Sequence, residues 1–123
     1  VYSGVVGQGA WQDGRPIHVS RTNVDVYAIL ATGFPSGRSY ETESLLQFVK
    51  AVQAYKKVRM LGSAALMLAQ VAAGHFDLYE EEDIYLWDVA AGLALVSASG
   101  GQYHISPGSS RFKFRVRASN GIL

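Results

Sequence analysis

In the first third of the chain, hydrophobic and polar positions follow the short periods of β-strands. Two extended segments, VYSGVV and RPIHVS, flank the favoured turn pair Asp13-Gly14, so residues 2–20 are predicted to form a β-hairpin. The apolar, β-branched run over residues 24–34 ends in a Gly-Phe-Pro sequence, as a buried strand does. A polar loop over residues 35–41 is predicted to follow.

The rest of the chain alternates between helical and extended patterns. Thr42 is a candidate N-cap for a helix whose apolar residues recur at helical spacing. These residues are Leu45, Leu46, Val49, Val52 and Tyr55. Gly62-Ser63 opens a second helix, AALMLAQVAAG, and a third runs over WDVAAGLALVSASGG. With strands predicted in VRML, HFDLYEE, QYHIS and RFKFRVRAS, the alternation indicates an α/β fold of packed layers.

Composition narrows the class of protein without naming a chemistry. The 123 residues suffice for one domain at most, or for a piece of one, and 49% are hydrophobic, enough for a real core. A net charge of +1 gives no field that would attract nucleic acid or an anionic membrane, so neither is predicted as a partner. The absence of cysteine excludes a disulfide scaffold and a thiolate metal site, and it is compatible with the cytoplasm.

Asp88 stands between an acidic run, residues 80–83, and the small, apolar sequence VAAGLALV. A carboxylate at a helix start can bind the free N–H groups of the first turn, or it can bind a hard cation such as Mg²⁺. The sequence behind Asp88 is too apolar for a surface helix, so the acid is predicted at the floor of a cleft. One acid is not a metal site, and further ligands must come from elsewhere.

The segment Gly62-Ser63-Ala64 is the second candidate site. Small residues at a helix start let the backbone approach an anion or a sugar hydroxyl, and the exposed N–H groups there are donors. The same small residues also allow tight packing between helices, and spacing alone leaves both readings open.

Taken together, these segments resemble the inositol monophosphatase family. In GSAALMLAQVAAGHFDLYEEEDIYLWDVAAG, as in that family, a Gly-Ser/Thr-Ala-Ala helix start precedes a Trp-Asp-x-Ala-Ala-Gly signature by a similar interval. GVVGQGAWQDGRPIHVS, ATGFPSGR, SASGGQ and VRASNGIL resemble other family segments in the same order. The resemblance implies the C-terminal portion of the layered αβαβα fold that this family shares with fructose-1,6-bisphosphatase-like proteins.

The resemblance also implies roles for individual residues. Asp88 matches the family's Mg²⁺-binding aspartate and is the expected catalytic residue and metal ligand. Glu81 matches a glutamate that hydrogen-bonds a substrate hydroxyl, and Gly62, Ser63 and Ala64 match the helix start that lines the substrate pocket. The implied reaction is hydrolysis of a phosphate monoester, such as inositol monophosphate or a similar polyol phosphate, by Mg²⁺-activated water. A homodimer is also implied by the resemblance, and the expected location is the cytoplasm.

Several positions depart from the family pattern. Met67 stands where the family usually has an acid or amide, and Met60 replaces an arginine, although Arg59 is retained. The upstream Gly-Glu-Glu segment and the Asp-Pro-(Ile/Leu)-Asp-Gly-Thr motif, which carry the other metal ligands, do not occur. Residues 1–123 are therefore expected to be a C-terminal half that starts in mid-fold, lacks the N-terminal metal-binding half and is inactive alone. The alternative is a non-catalytic dimerisation or ligand-binding module that keeps the fold without the metal centre.

Two other sets of residues suggest weaker functions. The histidines have no metal-site spacing and are predicted to be structural or on the surface; they are His18, His75 and His104. The basic residues of RFKFRVR alternate with apolar ones, which predicts one basic strand face. That face comprises Arg111, Lys113, Arg115 and Arg117. A solvated face or a protected sheet edge is favoured over a nucleic-acid patch.

Overall fold

The computed structural model describes residues 1–33 and 41–123, and the chain begins with a small antiparallel sheet. Its strands, in spatial order, are β1 (Tyr2–Val5), β2 (Gly9–Gln12) and β3 (Arg15–Ile17). The predicted turn joins β2 to β3, with the positive φ angles of a type I′ turn at Asp13 (50°) and Gly14 (80°). The predicted pairing of VYSGVV with RPIHVS is wrong, because β2 lies between them and pairs with both. Strand β2 was not predicted because the glycines of GQGAW interrupt the alternation of apolar and polar residues.

A five-stranded sheet in the order β5-β4-β6-β8-β7 forms the centre of the fold. Its strands are β4 (Ile29–Thr32), β5 (Lys57–Arg59), β6 (Leu78–Tyr85), β7 (Gln102–Pro107) and β8 (Lys113–Ser119). β4 is parallel to β5 and β6, whereas β8 is antiparallel to β6 and β7. The strands predicted in this part of the chain are confirmed, and β6 continues beyond its predicted end. The whole acidic run 80–83 therefore lies within β6, whereas the predicted strand ended inside it.

In the described part of the chain, three helices cover the two faces of this sheet: α1 (Thr42–Ala54), α2 (Ala64–Ala72) and α3 (Leu86–Ala98). Because side chains alternate along a strand, Ala31 and Tyr79 face one side while Leu30 and Leu78 face the other. The first pair packs in the main core with α2 and α3. The second pair packs with Ala51 of α1 and with Tyr55, which directly follows that helix. This arrangement confirms the predicted α/β layers.

Helix α1 forms where it was predicted, but its start and its exposed face differ from expectation. Thr42 is the first helical residue and Glu41 occupies the N-cap position without a side-chain cap bond, so the predicted Thr42 cap is wrong. Ala51 and Tyr55 pack against the buried cluster of Ala28, Leu30 and Leu78. Four of the five predicted apolar positions are 39–49% exposed, namely Leu45, Leu46, Val49 and Val52. The apolar stripe of α1 is therefore wider than the part of the helix surface that the sheet covers.

The predicted strand over residues 24–34 is shorter than expected. A 3₁₀ turn spans Asp25–Tyr27 and β4 begins only at Ile29, because backbone bonds Tyr27 N–H to Val24 O (3.0 Å) and Ala28 N–H to Asp25 O (2.9 Å) close a turn. Phe34 and nearly all of the predicted polar loop fall at residues 34–40, outside the described residues.

A buried polar cluster ties distant parts of the chain together. The Asp77 carboxylate accepts hydrogen bonds from Ser20 Oγ and from the Ile29 N–H (2.7 Å). The Asn120 amide donates to Thr22 O (2.7 Å) and to Ser20 Oγ (3.1 Å), and the Asn120 N–H donates to Asp77 O (3.2 Å). The segment between the two sheets is therefore fixed to both β6 and the end of β8. Among the described helices, none is long and apolar enough to cross a membrane.

Candidate functional site

A pocket of about 690 Å³ lies where α2 and α3 begin, beside β6. The first turn of α2 contributes one wall and the first turn of α3 contributes another. All five predicted site residues line it: Gly62, Ser63, Ala64, Glu81 and Asp88. Each helix presents the positive end of its dipole to this space.

Asp88 is the third residue of α3, and its side chain is exposed at the pocket. The N-cap position belongs to Tyr85, and Asp88 has no hydrogen-bond or ion-pair partner within the described ranges. The carboxylate is thus in the first turn, where the dipole favours it, without acting as the cap. Asp88 lies in a pocket, as predicted, but it is exposed there and not at the floor, because α3 buries only the side that carries Val89, Gly92, Leu93 and Val96.

Glu81 projects from β6 into the same pocket and is only 8% exposed. Tyr79 Oη donates a hydrogen bond to Glu81 Oε2 (3.2 Å). Burial raises the pKa of the Glu81 carboxyl, the Tyr79 hydrogen bond opposes this, and the negative charge of Asp88 raises the pKa further. Burial and the neighbouring Glu81 also raise the pKa of Tyr79 well above its usual range, so the phenol remains a donor.

The neighbours of Glu81 in the acidic run have other surroundings. Glu80 points to the opposite face of the sheet, where its carboxylate pairs with Arg117 Nη1 (2.8 Å) and Arg115 Nη2 (3.4 Å). Glu82 is exposed and does not line this pocket. Of the three consecutive glutamates, strand alternation directs Glu81 to the pocket.

The helix start of α2 combines a turn with a cap. Gly62 has a φ angle of 74°, which non-glycine residues rarely adopt. Ser63 is the N-cap of α2, and its Oγ accepts a hydrogen bond from the Leu66 N–H (3.2 Å). The small Ala64 is buried in the main core, so tight packing and pocket lining occur in the same segment.

Part of the pocket lining is apolar. Met67, which stands where the family resemblance expects a polar residue, is 1% exposed and lines the pocket from within the core. Met60 lines the opening and is 47% exposed. Ile84 and Trp87 are also apolar lining residues.

An aromatic cluster next to the pocket was not predicted from the sequence. Tyr85 and Trp87 stack with ring centroids 4.6 Å apart and an interplanar angle of 11°, and Phe112 lies 5.7 Å from Trp87. Arg111 lies 5.0 Å from the Phe112 centroid, and Lys113 Nζ lies 5.0 Å from that of Tyr85. The aromatic pair in YLW was the signal in the sequence. The third ring of the cluster, Phe112, belongs to the β7–β8 connection.

A polar anchor holds that connection against β6. Asp83, at a bulge and with a φ angle of 57°, accepts hydrogen bonds from the Ser109 N–H and Oγ, both at 2.7 Å. These bonds, with a smaller contribution from the ammonium of Lys113 at 3.7 Å, hold the pKa of Asp83 below its usual range. The Leu86 N–H donates to Phe112 O (2.9 Å), which joins the same loop to the start of α3.

The predicted basic face is only partly correct. Lys113, Arg115 and Arg117 alternate along β8 and pair with Asp83 or Glu80, as expected of a solvated face. Arg111 lies before β8 and contacts Phe112 instead. The protected-edge reading is wrong, because β8 lies between β6 and β7.

The histidines do not contribute to this pocket. His75 Nδ1 is 2.7 Å from Gln70 Oε1 on the surface, and neither His18 nor His104 lines the pocket. Their predicted structural or surface character agrees with these positions.

The carboxylates of this pocket could supply one ligand of a Mg²⁺ site, but they do not form a complete set of ligands. Mg²⁺ takes oxygen ligands, often one or two carboxylates together with waters and substrate phosphates. Asp88 suits this role because its carboxylate is exposed and unpaired among the described residues. Glu81 suits it less, since it is buried and bonded to Tyr79. In residues 1–33 and 41–123, no three Asp, Glu or His side chains form a group that could hold a metal ion.

Comparison with known proteins gives one consistent result. The model of the "Inositol monophosphatase family" matches residues 1–122. Inositol-1-monophosphatase of Rhizobium meliloti is 36% identical over 102 residues, which are 82% of this chain and 38% of the relative. Inositol-1-monophosphatase SuhB of Mycobacterium tuberculosis is 45% identical over 108 residues, which are 82% of this chain and 36% of the relative.

Solved structures give the same likeness in three dimensions. The inositol monophosphatase from Anabaena superposes with a TM-score of 0.86 at 36% identity, over 98% of this chain and 51% of that chain. Mycobacterium tuberculosis SuhB gives a TM-score of 0.82 at 30% identity, over 96% of this chain and 48% of that one. The chain thus spans between a third and about half of the length of these relatives. It belongs to the inositol monophosphatase family.

Proposed function

We propose that the chain is the C-terminal half of a longer enzyme that hydrolyses a phosphate monoester, such as inositol monophosphate or a similar polyol phosphate. The observation that carries this proposal is the meeting of Asp88, Glu81 and the start of α2 in one pocket of a family member. Three segments separated along the chain contribute to that pocket, as a substrate site requires.

Within this pocket, each residue has a proposed task. Asp88 supplies one carboxylate ligand for Mg²⁺, and its place in the first turn of α3 keeps it accessible. The chemistry that a bound Mg²⁺ would supply here is activation of a water and neutralisation of charge on the phosphoryl oxygens. Glu81 accepts a hydrogen bond from a hydroxyl of the alcohol part, because Tyr79 fixes the other carboxyl oxygen. The segment Gly62–Ala64 provides a close backbone surface at a helix start, whose N–H groups point toward a ligand.

The remaining ligands are proposed to come from a segment outside this chain. One exposed carboxylate does not provide the charge that holds catalytic Mg²⁺, and the described residues form no cluster of three possible ligands. The isolated chain is therefore expected to be inactive. A homodimer, which the family resemblance implies, is part of the proposal and would be measured by light scattering on the complete protein.

The test is Mg²⁺-dependent release of phosphate from inositol 1-phosphate and other sugar and nucleotide monophosphates. The complete protein and the 123-residue chain are compared, each as wild type, Asp88→Asn and Asp25→Asn. Activity is expected in the complete protein and in its Asp25→Asn variant, and a loss of at least about 100-fold is expected for Asp88→Asn. Asp25 is an exposed carboxylate outside the pocket and controls for the change of charge.

Two results would contradict the proposal. Activity in the isolated chain would mean that the metal ligands lie elsewhere than proposed. Silence of the complete protein toward every ester would favour a non-catalytic ligand-binding or dimerisation module that retains the fold.

A further inference from the structure

Strand β6 changes its alternation of side chains just before it reaches α3. The register between β6 and β8 shifts between Glu81 and Ile84, so two residues of β6 lie opposite one residue of β8. This β-bulge explains why Glu81 and Ile84 both line the pocket, since residues three apart in a regular strand point to opposite faces. Without the bulge, Asp83 would take the place of Ile84 on the pocket side.

Asp83 occupies this bulge in a conformation that usually belongs to glycine. Its φ angle is 57°, and aspartate is one of the few other residues that tolerate it. The carboxylate accepts hydrogen bonds from the N–H and the hydroxyl of Ser109, both at 2.7 Å. The approach is so close that a Cβ atom on Gly108 would lie 2.6 Å from Asp83 Oδ1. Asp83 therefore supplies the bulge conformation and also holds the loop that joins β7 to β8.

The segment 108–112, here called the anchor loop, also contacts the start of α3. Phe112 O accepts a hydrogen bond from the N–H of Leu86 (2.9 Å), the first residue of that helix. The first N–H groups of a helix have no acceptor within it, so this bond holds an end that no helical bond holds. The Phe112 ring lies 5.7 Å from that of Trp87, the second helical residue. The anchor loop thus fixes the first turn of α3 through a backbone bond and a ring contact.

Asp88 depends on this turn for its direction. It is the third residue of α3, and its own carboxylate has no partner among the described residues. A ligand that must be placed within about 0.5 Å of its productive position needs a rigid support. Asp83 and Ser109 do not line the pocket, so they can influence Asp88 only through the first turn of α3.

We propose that Asp83 is a positioning residue of the phosphatase site: by anchoring Ser109, it fixes the first turn of α3 and with it the direction of Asp88. This inference rests on the proposed function, in which Asp88 binds Mg²⁺, and adds to it a residue that touches neither metal nor substrate. Loss of the anchor loosens the turn, so a metal ion loses a well-placed ligand while the pocket keeps all its side chains.

The affinity of the complete protein for Mn²⁺, measured by electron paramagnetic resonance, tests this role. Asp83→Gly keeps the positive φ angle and removes the anchor, so Mn²⁺ is expected to bind at least about fivefold more weakly. Asp83→Asn tolerates the same angle, and its amide can accept from the Ser109 N–H and donate to the Ser109 hydroxyl. This variant loses the same charge, yet it is expected to bind Mn²⁺ within about twofold of the wild type.

The serines of the anchor loop provide a second, independent pair of variants. Ser109→Ala removes one of the two bonds to Asp83 and is expected to weaken Mn²⁺ binding less than Asp83→Gly does. Ser110→Ala is the matched control, because the Ser110 hydroxyl has no hydrogen-bond partner in residues 1–33 and 41–123. Asn120→Ala, which breaks bonds of the buried polar cluster instead, controls for lost stability. Both controls are expected to bind Mn²⁺ like the wild type.

Trp87 reports the position of the turn without any metal. Fluorotryptophan is incorporated into the complete protein, and the fluorine NMR signal of Trp87 is identified by its loss in Trp87→Phe. Asp83→Gly is expected to move this signal, because the Phe112 ring beside the indole is released. Asp83→Asn and Ser110→Ala are expected to leave the signal close to its position in the wild type.

The outcomes separate this inference from the proposed function. Weaker Mn²⁺ binding and a moved Trp87 signal in Asp83→Gly, both recovered in Asp83→Asn, would support the inference. If Asp88→Asn weakens Mn²⁺ binding and Asp83→Gly does not, the inference is overturned and the proposed function stands. If the Trp87 signal moves in Asp83→Gly while Asp88→Asn binds Mn²⁺ normally, the fixing of the turn is supported and the proposed role of Asp88 fails.

Two further results would overturn the inference whatever the role of Asp88. One is a Trp87 signal that stays unchanged in Asp83→Gly, since the anchor would then not hold the turn. The other is an equal loss of Mn²⁺ affinity in Asp83→Gly and Asp83→Asn, since the cause would then be the lost charge and not the lost anchor.

Discussion

At the scale of single residues, the surroundings give identical side chains different chemistry. Glu80 forms ion pairs on one face of the central sheet, and Glu81 is buried on the other face with a raised pKa. The two-residue period of the strand decides which carboxylate enters the pocket. A shift of β6 by one residue would place Glu80 or Glu82 in the pocket and remove the bond to Tyr79.

Asp83 gives a residue-scale prediction about pH. Its folded-state pKa lies below the unfolded value, mainly because the Ser109 N–H and hydroxyl bind the ionised carboxylate. The ionised form therefore stabilises the fold above the unfolded pKa of about 4, and this stabilisation is lost as the pH falls through the lower folded pKa. Asp83→Asn, which tolerates the positive φ angle, is expected to lower Tm at neutral pH but not in strong acid.

Thermal unfolding measured from neutral pH to about pH 2 checks this prediction, since that range spans the titration of ordinary aspartates. Asp25→Asn is the control, because it removes a carboxylate at an exposed site away from the Ser109 loop. A Tm difference for Asp83→Asn that stayed constant over the whole range would contradict the account of this anchor.

Motifs in the sequence predicted some of the pocket at this scale and could not predict the rest. Asp88 and Gly62–Ala64 stand at the starts of α3 and α2, and the family resemblance implied that they belong to one site. The contact between Trp87 and Phe112 could not be predicted, because it depends on how the β7–β8 connection returns to α3. The aromatic residues of YLW were visible in the sequence, but a contact set by long-range strand pairing leaves no local signal of its partner.

At the scale of elements, the close contact of α2 and α3 supports the pocket. Gly92 is buried in α3, and a Cβ atom there would lie 2.5 Å from the Cβ of Leu68 in α2. Gly92→Ala is expected to destabilise the fold by about 1–3 kcal/mol, because the helices must separate. This effect exceeds the gain of at most about 1 kcal/mol from alanine's helix propensity.

Urea unfolding measures the change for Gly92→Ala. Ala90→Leu, at an exposed position of the same helix, adds more volume and is expected to change stability by no more than about 0.5 kcal/mol. A Gly92→Ala variant as stable as the wild type would show that the helices are not packed this closely.

The elements themselves could be predicted where both their ends carry signals. Ser63 and the glycines that follow α2 and α3 marked those helices correctly. The strand β2 was missed because glycines interrupt its alternation, and the N-cap of α1 was misplaced by one residue. The exposed stripe of α1 could not be anticipated, since a helical period indicates which residues share a face but not how much of it the sheet covers.

At the scale of the whole molecule, Asn120 joins segments about a hundred residues apart. Its amide donates to Thr22 O and Ser20 Oγ, and its Oδ1 accepts hydrogen bonds from the Ile122 and Leu123 N–H groups. Asn120→Ala is expected to destabilise the chain by about 1–3 kcal/mol, because buried polar groups lose their partners. Thr22→Ala keeps the backbone carbonyl that Asn120 binds and is expected to change little.

Chemical denaturation of the two variants measures this effect. Equal stability of Asn120→Ala and Thr22→Ala would contradict the role of the amide.

The sequence predicted the strands that the Asn120 cluster connects, but not their spatial order β5-β4-β6-β8-β7. Which strands become neighbours depends on pairing across the chain, and hydrophobic periodicity does not report it.

The most direct test of the central claim is the affinity of the complete protein for Mn²⁺, a spectroscopically visible substitute for Mg²⁺, measured by electron paramagnetic resonance. If Asp88 is a metal ligand, Asp88→Asn should weaken Mn²⁺ binding by at least about tenfold, since loss of even an outer-sphere partner commonly costs that much. Asp25→Asn should bind Mn²⁺ like the wild type. Equal Mn²⁺ affinity of the wild type and Asp88→Asn would contradict the assignment of this pocket as part of a metal-dependent phosphatase site.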